Sequence, residues 1–188
     1  MDLLAALERL MLMDERDWRR HANPWSVWTR VAAFPLLVLA IWSRVWIGWW
    51  ALTTTAAVIA FLYLNPRLFP PPRQPDNWAS KATFGERIYL ARKAVPIPRQ
   101  HARAAAVLVA ASMIGTILLV YGLVTLQITA VLVGTLLAAG AKLWFVDRMV
   151  WLFEDMCHAA PRYRDWLVPD RVSERTQDTD AGPGADAG

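Results

Sequence analysis

Two long apolar segments dominate the pattern of hydrophobic and polar positions along the chain. Residues 31–64 contain one charged side chain, Arg44, and residues 104–146 contain one, Lys142. A helix rises about 1.5 Å per residue, so as single helices these segments would be roughly 51 and 64 Å long. The hydrocarbon core of a bilayer is only about 30 Å thick. Each segment is therefore predicted to cross a membrane twice, as a helical hairpin.

The first segment contains a marked turn. Ser43 and Arg44 form a polar interruption, and tryptophans surround it at positions 42, 46, 49 and 50. Tryptophan accumulates at the headgroup level of a bilayer, so this cluster indicates a turn at an interface. The arm before it, residues 28–42, is short and contains Pro35. It therefore either crosses the bilayer with barely enough length or enters the bilayer only partway.

The turn of the second segment has two alternative positions, Tyr121-Gly122 and residues 125–129. Glycines at 115, 122, 134 and 140 provide small surfaces on which helices can approach closely. The last span is predicted to continue as one helix to His158 and to stop near Pro161.

Helix start and stop signals flank the first segment. Asn23 is a good cap, and Pro24 suits the first helical position. Asn65-Pro66 is predicted to end the second span, because the residue before a proline is pushed out of the helical region.

Amphipathic helices are predicted outside the spans. Asp76-Asn77 caps a helix from Trp78 to about Ala94, whose apolar positions fit a helix lying on the inner membrane surface. Near the N-terminus four apolar residues share one helical face: Leu3, Leu7, Leu10 and Met11. That face indicates an interfacial helix or, equally, a helix that packs against the spans.

The fold class is therefore all-α: an integral membrane protein with two helical hairpins, four transmembrane helices and interfacial amphipathic helices. The predicted organisation has five parts: an N-terminal amphipathic helix (residues 1–22), a first transmembrane hairpin (23–64), a cytoplasmic loop with an interfacial helix (65–103), a second hairpin with a helical extension (104–160) and a mostly disordered tail (161–188).

The basic residues predict the orientation. They occur before the first segment, between the two segments and after the second, whereas the predicted hairpin tips contain only Arg44. Basic loops stay in the cytoplasm, so each segment must cross an even number of times, which excludes three crossings. We expect the inner cell membrane, with both termini cytoplasmic.

Composition excludes several classes of function. The net charge of +4 does not indicate nucleic acid, because the basic residues flank apolar segments. The single cysteine, Cys157, excludes an internal disulfide and a paired-cysteine metal site. The spans contain no acid or histidine for a proton relay, which argues against a pump. The expected non-protein partner is the bilayer with its anionic headgroups.

The densest polar run is residues 142–158, on the predicted last helix. Asp155 and His158 match the carboxylate-x-x-His step of di-metal sites in helical bundles, and Glu154 is four residues before His158. Glu154, Asp155 and His158 are thus the candidate metal ligands. A second such motif is missing, so we expect no cofactor and expect these side chains to pair with the basic inner loops.

Candidate catalytic residues all lie in segments predicted to face the cytoplasm: His21, Arg87, His101, Asp147, Glu154 and His158. Their convergence at one interface motivates the hypothesis of an enzyme that acts on a lipid or isoprenoid headgroup. No phosphate-binding glycine loop and no Gly-x-Ser-x-Gly or His-Glu-x-x-His motif is present.

Five short sequence motifs occur together in this chain: HANPWSVWTR (residues 21–30), LNPRLFP (64–70), NWASK (77–81), GER (85–87) and KLWFVDRMVWLFEDM (142–156). In these the chain resembles an uncharacterised family of small prokaryotic multi-pass membrane proteins, a domain of unknown function. The resemblance covers about residues 18–156. The resemblance implies no activity, but the polar residues of these motifs all lie in segments predicted to face the cytoplasm.

Three functions stay open. The first is a structural or interaction protein that binds itself or a membrane partner, motivated by the small-residue surfaces of the second hairpin. The alternatives are the headgroup enzyme and a small transporter of a neutral solute.

Overall fold

A computed structural model describes residues 15–168, and every regular element in that range is helical, as predicted. The α-helices are α1 (Glu15–His21), α2 (Pro24–Trp42), α3 (Arg44–Ile47), α4 (Ala51–Leu68), α5 (Trp78–Leu90), α6 (Arg99–Thr125) and α7 (Ile128–Ala159), with 3-10 helices at Gly48–Trp50 and Pro161–Leu167. Most of the predicted N-terminal amphipathic helix and of the tail lie outside the described residues.

Three helical stretches are long and apolar enough to cross a membrane: Pro24–Leu68, Arg99–Thr125 and Ile128–Ala159. At most 33% of the apolar window in each stretch is buried within the protein. Apolar surface of this extent on the outside is typical of a protein whose surroundings are lipid.

The two ends of the stretch Pro24–Leu68 lie against each other. Asn23 caps α2, as predicted, by accepting from the backbone N–H of Trp25. Three residues later the Ser26 hydroxyl donates to Asn65 Oδ1 at 2.7 Å, although the two are 39 residues apart. The 45 residues of this stretch are therefore not one straight helix.

The prediction that Asn65-Pro66 ends this helix is wrong, because α4 runs through Pro66 to Leu68. Asn65 is fully buried, and its Nδ2 donates to Thr29 Oγ1 at 2.8 Å. These two side-chain bonds to α2 hold Asn65 in a helical conformation that the proline disfavours.

Helices α6 and α7 pack closely through glycines. A Cβ on Gly115 or Gly122 would clash with the backbone of α7, and one on Gly134 would clash with the backbone of Leu119. The chain reverses at Leu126, which adopts a left-handed conformation (φ 58°). The turn thus lies within residues 125–129, the second of the two predicted positions.

Helix α5 packs against α7, which covers its apolar face. Asn77 caps α5 as predicted, by accepting from the N–H of Ser80. Phe84 and Ile88 are buried in a core cluster with Met149 and Phe153. Helix α5 thus ends at Leu90 and not at the predicted Ala94, and its apolar residues pack within the protein.

We predict that Gly85→Ala destabilises the protein by about 1–3 kcal/mol, the usual cost of overpacking. A Cβ at Gly85 would clash with the backbone carbonyl of Met149, so α5 must move away from α7. Gly140→Ala is the matched control, because nothing lies within 4 Å of its Cβ position. The thermal unfolding midpoint in detergent should fall for the first variant only; equal midpoints would contradict the packing.

Candidate functional site

A cavity of about 470 Å³ lies among helices α1, α2, α5, α6 and α7. This volume is within the range of about 300–1,000 Å³ that is typical of ligand sites. Most of its wall is apolar, with Val31 and Phe34 from α2 and Leu143 and Val146 from α7. It is the candidate functional site, which we call the rim cavity.

One end of the rim cavity is charged. Glu86 on α5 accepts from Lys142 on α7, with Oε1 and Nζ 2.9 Å apart. Arg30 and His21 also line the cavity. Burial alone would raise the pKa of the Glu86 carboxyl, but the charge and hydrogen bond of Lys142, together with Arg30 and His21, outweigh burial and hold that pKa below its usual value.

Arg30 is fixed by backbone carbonyls at the start of α2. Its Nε donates to the carbonyl of Ser26 at 3.1 Å and its Nη2 to the carbonyl of His21 at 3.2 Å. The side chain thereby ties the end of α1 to the first turns of α2. Its charge is held in a set position at the cavity wall.

The other end of the rim cavity lies deeper between the helices and lacks charged side chains. Ser112 and Thr116 line it, but their hydroxyls bond to the backbone: Ser112 Oγ donates to the carbonyl of Ala138 at 3.2 Å and Thr116 Oγ1 to the carbonyl of Ser112 at 2.8 Å. The cavity is therefore polar and charged at one end and effectively apolar at the other.

Of the six candidate catalytic residues, only His21 lines the rim cavity. The Arg87 guanidinium lies 4.5 Å from the ring centre of Trp166, and Asp147 accepts from the indole N–H of Trp78 at 3.0 Å. Neither Arg87 nor Asp147 lines the rim cavity.

The remaining candidates also have partners of their own. Glu154 pairs with Lys81 at 3.3 Å, and buried His101 pairs with Asp155 at 2.7 Å. His158 Nδ1 lies 2.7 Å from the backbone carbonyl of Glu154. Within residues 15–168 no three His, Cys, Asp or Glu side chains are grouped so as to hold a metal ion.

The charged residues of the rim cavity were not predicted as a group. Arg30, Glu86 and Lys142 line it, but none of the three is among the candidate site residues that the sequence predicts. Their positions in the sequence could have identified two of them. Lys142 is the single charged residue within the apolar segment 104–146, and Arg30 directly precedes the apolar segment 31–64.

The depressed pKa of Glu86 predicts a pH dependence of stability. A carboxyl whose pKa is lower in the folded state stabilises the fold above its unfolded pKa and loses that contribution as the pH falls. We expect wild type to exceed Glu86→Gln in unfolding midpoint at pH 6–7, and the gap to shrink below the ordinary value of 4.5. A gap that is constant down to pH 3 would contradict the ion pair.

Comparisons with known proteins point to one family. The chain matches no curated protein and no solved structure. A family model described as a family of unknown function (DUF6653) matches residues 5–167. The predicted resemblance to an uncharacterised family is thereby confirmed, and the chain belongs to the family of unknown function DUF6653.

Proposed function

We propose that this protein is a four-pass membrane protein that binds a membrane lipid in the rim cavity. The observation that supports it is the polarity of that cavity, with Arg30, Glu86 and Lys142 at one end and an apolar wall at the other. A lipid has the same polarity, with a charged headgroup joined to apolar chains.

Four crossings require that Pro24–Leu68 enters and returns. Helix α2 has 19 residues and α4 has 18, so each is about 27–29 Å long. Both lengths are close to the hydrocarbon thickness. Arg44, between them, donates to the carbonyls of Leu123 and Val124 at the end of α6. The tip of the first pair of helices thus reaches the tip of the second, which favours full insertion.

Exposed tryptophans support the same arrangement. At the tips, Trp46, Trp49 and Trp50 are strongly exposed. At the opposite ends of the helices, Trp25, Trp28, Trp144 and Trp151 are exposed. From Gln127 to Trp144 helix α7 rises about 26 Å. Two groups of exposed tryptophans at this separation match the two interfaces of a bilayer.

The basic segments favour the cytoplasmic side for the second group of tryptophans, because the tips contain Arg44 as their one basic residue. Lys142 lies about 22 Å along α7 from Gln127. It is therefore near the cytoplasmic headgroup level, and Phe34 and Thr116 lie deeper. A lipid of the inner leaflet would enter with its headgroup at the charged end.

Lipid binding is better supported than two of the three functions that the sequence leaves open, catalysis and self-association. Catalysis would need several candidate residues at the cavity, and only His21 is there. Self-association was motivated by the glycines of the second pair of helices. Gly115, Gly122 and Gly134 are occupied by the α6–α7 contact within the protein.

The topology can be tested with single cysteines in a Cys157→Ser background. Trp49→Cys and Gln127→Cys, at the tips, should react with a membrane-impermeant maleimide on intact cells. Gln74→Cys, the matched control for Gln127, is exposed in the basic segment between α4 and α5 and should react only after permeabilisation. Labelling of Trp49→Cys only from the cytoplasmic side would contradict four crossings.

Lipid binding can be tested by filling the cavity. Ala139 lines the apolar part of the rim cavity, so Ala139→Trp should occupy the space of a lipid chain. Ala106 on α6 is exposed and is not part of the cavity, so Ala106→Trp is the matched control. Phospholipid retained per protein after detergent purification, measured by native mass spectrometry, should fall at least severalfold in the first variant only. Absence of retained lipid in wild type would overturn the proposal.

A further inference from the structure

Beside His21, the part of the chain that the structure describes contributes two cations and one carboxylate to the charged end of the rim cavity. Arg30 and Lys142 supply the positive charges and Glu86 the negative one. These three side chains together therefore carry one net positive charge.

Glu86 forms an ion pair with one of these two cations, Lys142, and not with the other. Its Oε1 accepts from Lys142 at 2.9 Å, whereas Arg30 donates to backbone carbonyls. Lys142 is thus largely neutralised by the ion pair, and the charge of Arg30 is not matched by a carboxylate of its own. The Glu86 side chain is 35% exposed, so an incoming headgroup would lie beside it.

We infer that the rim cavity selects a lipid whose headgroup carries one negative charge, a phosphodiester without a cationic substituent, and that Glu86 sets this limit. The inference rests on the proposed lipid binding and names the class of lipid. Glu86 then acts as a specificity-determining residue, because it cancels one of the two cations that an anion would meet.

Unmatched charge in a partly apolar site is the physical basis of the selection. A phosphomonoester carries close to two negative charges above its second pKa of about 6. One of these would face Glu86 without a cation, which is costly away from water. A zwitterionic headgroup would leave the net positive charge unmatched, and its ammonium would compete with Lys142 for Glu86.

The test offers the purified protein an equimolar mixture of phosphatidylglycerol, phosphatidic acid and phosphatidylethanolamine in detergent micelles at pH 8. The retained lipids are then identified by native mass spectrometry. Wild type should be enriched in phosphatidylglycerol, the monoanionic phosphodiester. Glu86→Gln leaves two cations, so the ratio of phosphatidic acid to phosphatidylglycerol should rise about tenfold, as expected for one nearby charge.

Two further variants separate net charge from local contacts. Lys142→Gln leaves Arg30 and Glu86, so the preference for anionic lipid should disappear. The double variant Glu86→Gln/Lys142→Gln leaves Arg30 alone and should recover the preference for phosphatidylglycerol. Glu154→Gln is the matched control, since Glu154 pairs with Lys81 outside the cavity, and it should retain the wild-type mixture.

The outcomes distinguish this inference from the proposed function. If wild type retains lipid and Ala139→Trp does not, but the headgroup composition is the same in all charge variants, Glu86 does not set specificity while lipid binding stands. Enrichment of phosphatidic acid or phosphatidylethanolamine in wild type overturns the inference in the same way. If wild type retains no lipid at all, the proposed function fails.

Discussion

The close approach of α5 to α7 at Gly85 and Met149 is the contact on which the charged end of the cavity depends. Because Gly85 has no side chain, the two helix backbones touch, and the next residue, Glu86, reaches Lys142. Phe84 and Ile88 on either side are almost fully buried. If α5 lay farther away, the carboxylate and the ammonium would be separate charges at the membrane edge, each with its own desolvation cost.

Outside the cavity, acidic groups at the end of α7 have nearby partners. Asp147 accepts from Trp78, Glu154 pairs with Lys81, and Asp155 pairs with His101. These contacts connect α5 and the start of α6 to α7. Because the three carboxylates are engaged in them, they are poorly placed to act on a substrate. The rim cavity differs, because there two cations share one carboxylate. That imbalance of charge, and not the density of polar residues, is what favours the rim cavity as the proposed binding site.

Local signals predicted the helices well. Apolar segments without charge and capping residues such as Asn23 and Asn77 act through neighbours in sequence. The prediction at Asn65-Pro66 was wrong because the bonds that keep α4 helical come from Ser26 and Thr29, far away in the chain. The cavity could not be predicted for the same reason: Glu86 and Lys142 are 56 residues apart, and nothing in one sequence pairs them. The polar run at residues 142–158 is the stronger local signal, but its acidic side chains pair with Trp78, Lys81 and His101.

The side chains that would meet the proposed anion are already held in place by bonds within the protein. The link between α1 and α2 is held over it by polar bonds, from Arg30 to the carbonyl of His21 and from the Ser80 hydroxyl to the carbonyl of Ala22. A guanidinium carries five N–H donors and an ammonium three. The backbone bonds of Arg30 and the single bond from Lys142 to Glu86 use only part of these. A headgroup oxygen can therefore be bound while every structural bond is kept, so binding requires little reorganisation of the protein, and that preorganisation favours affinity.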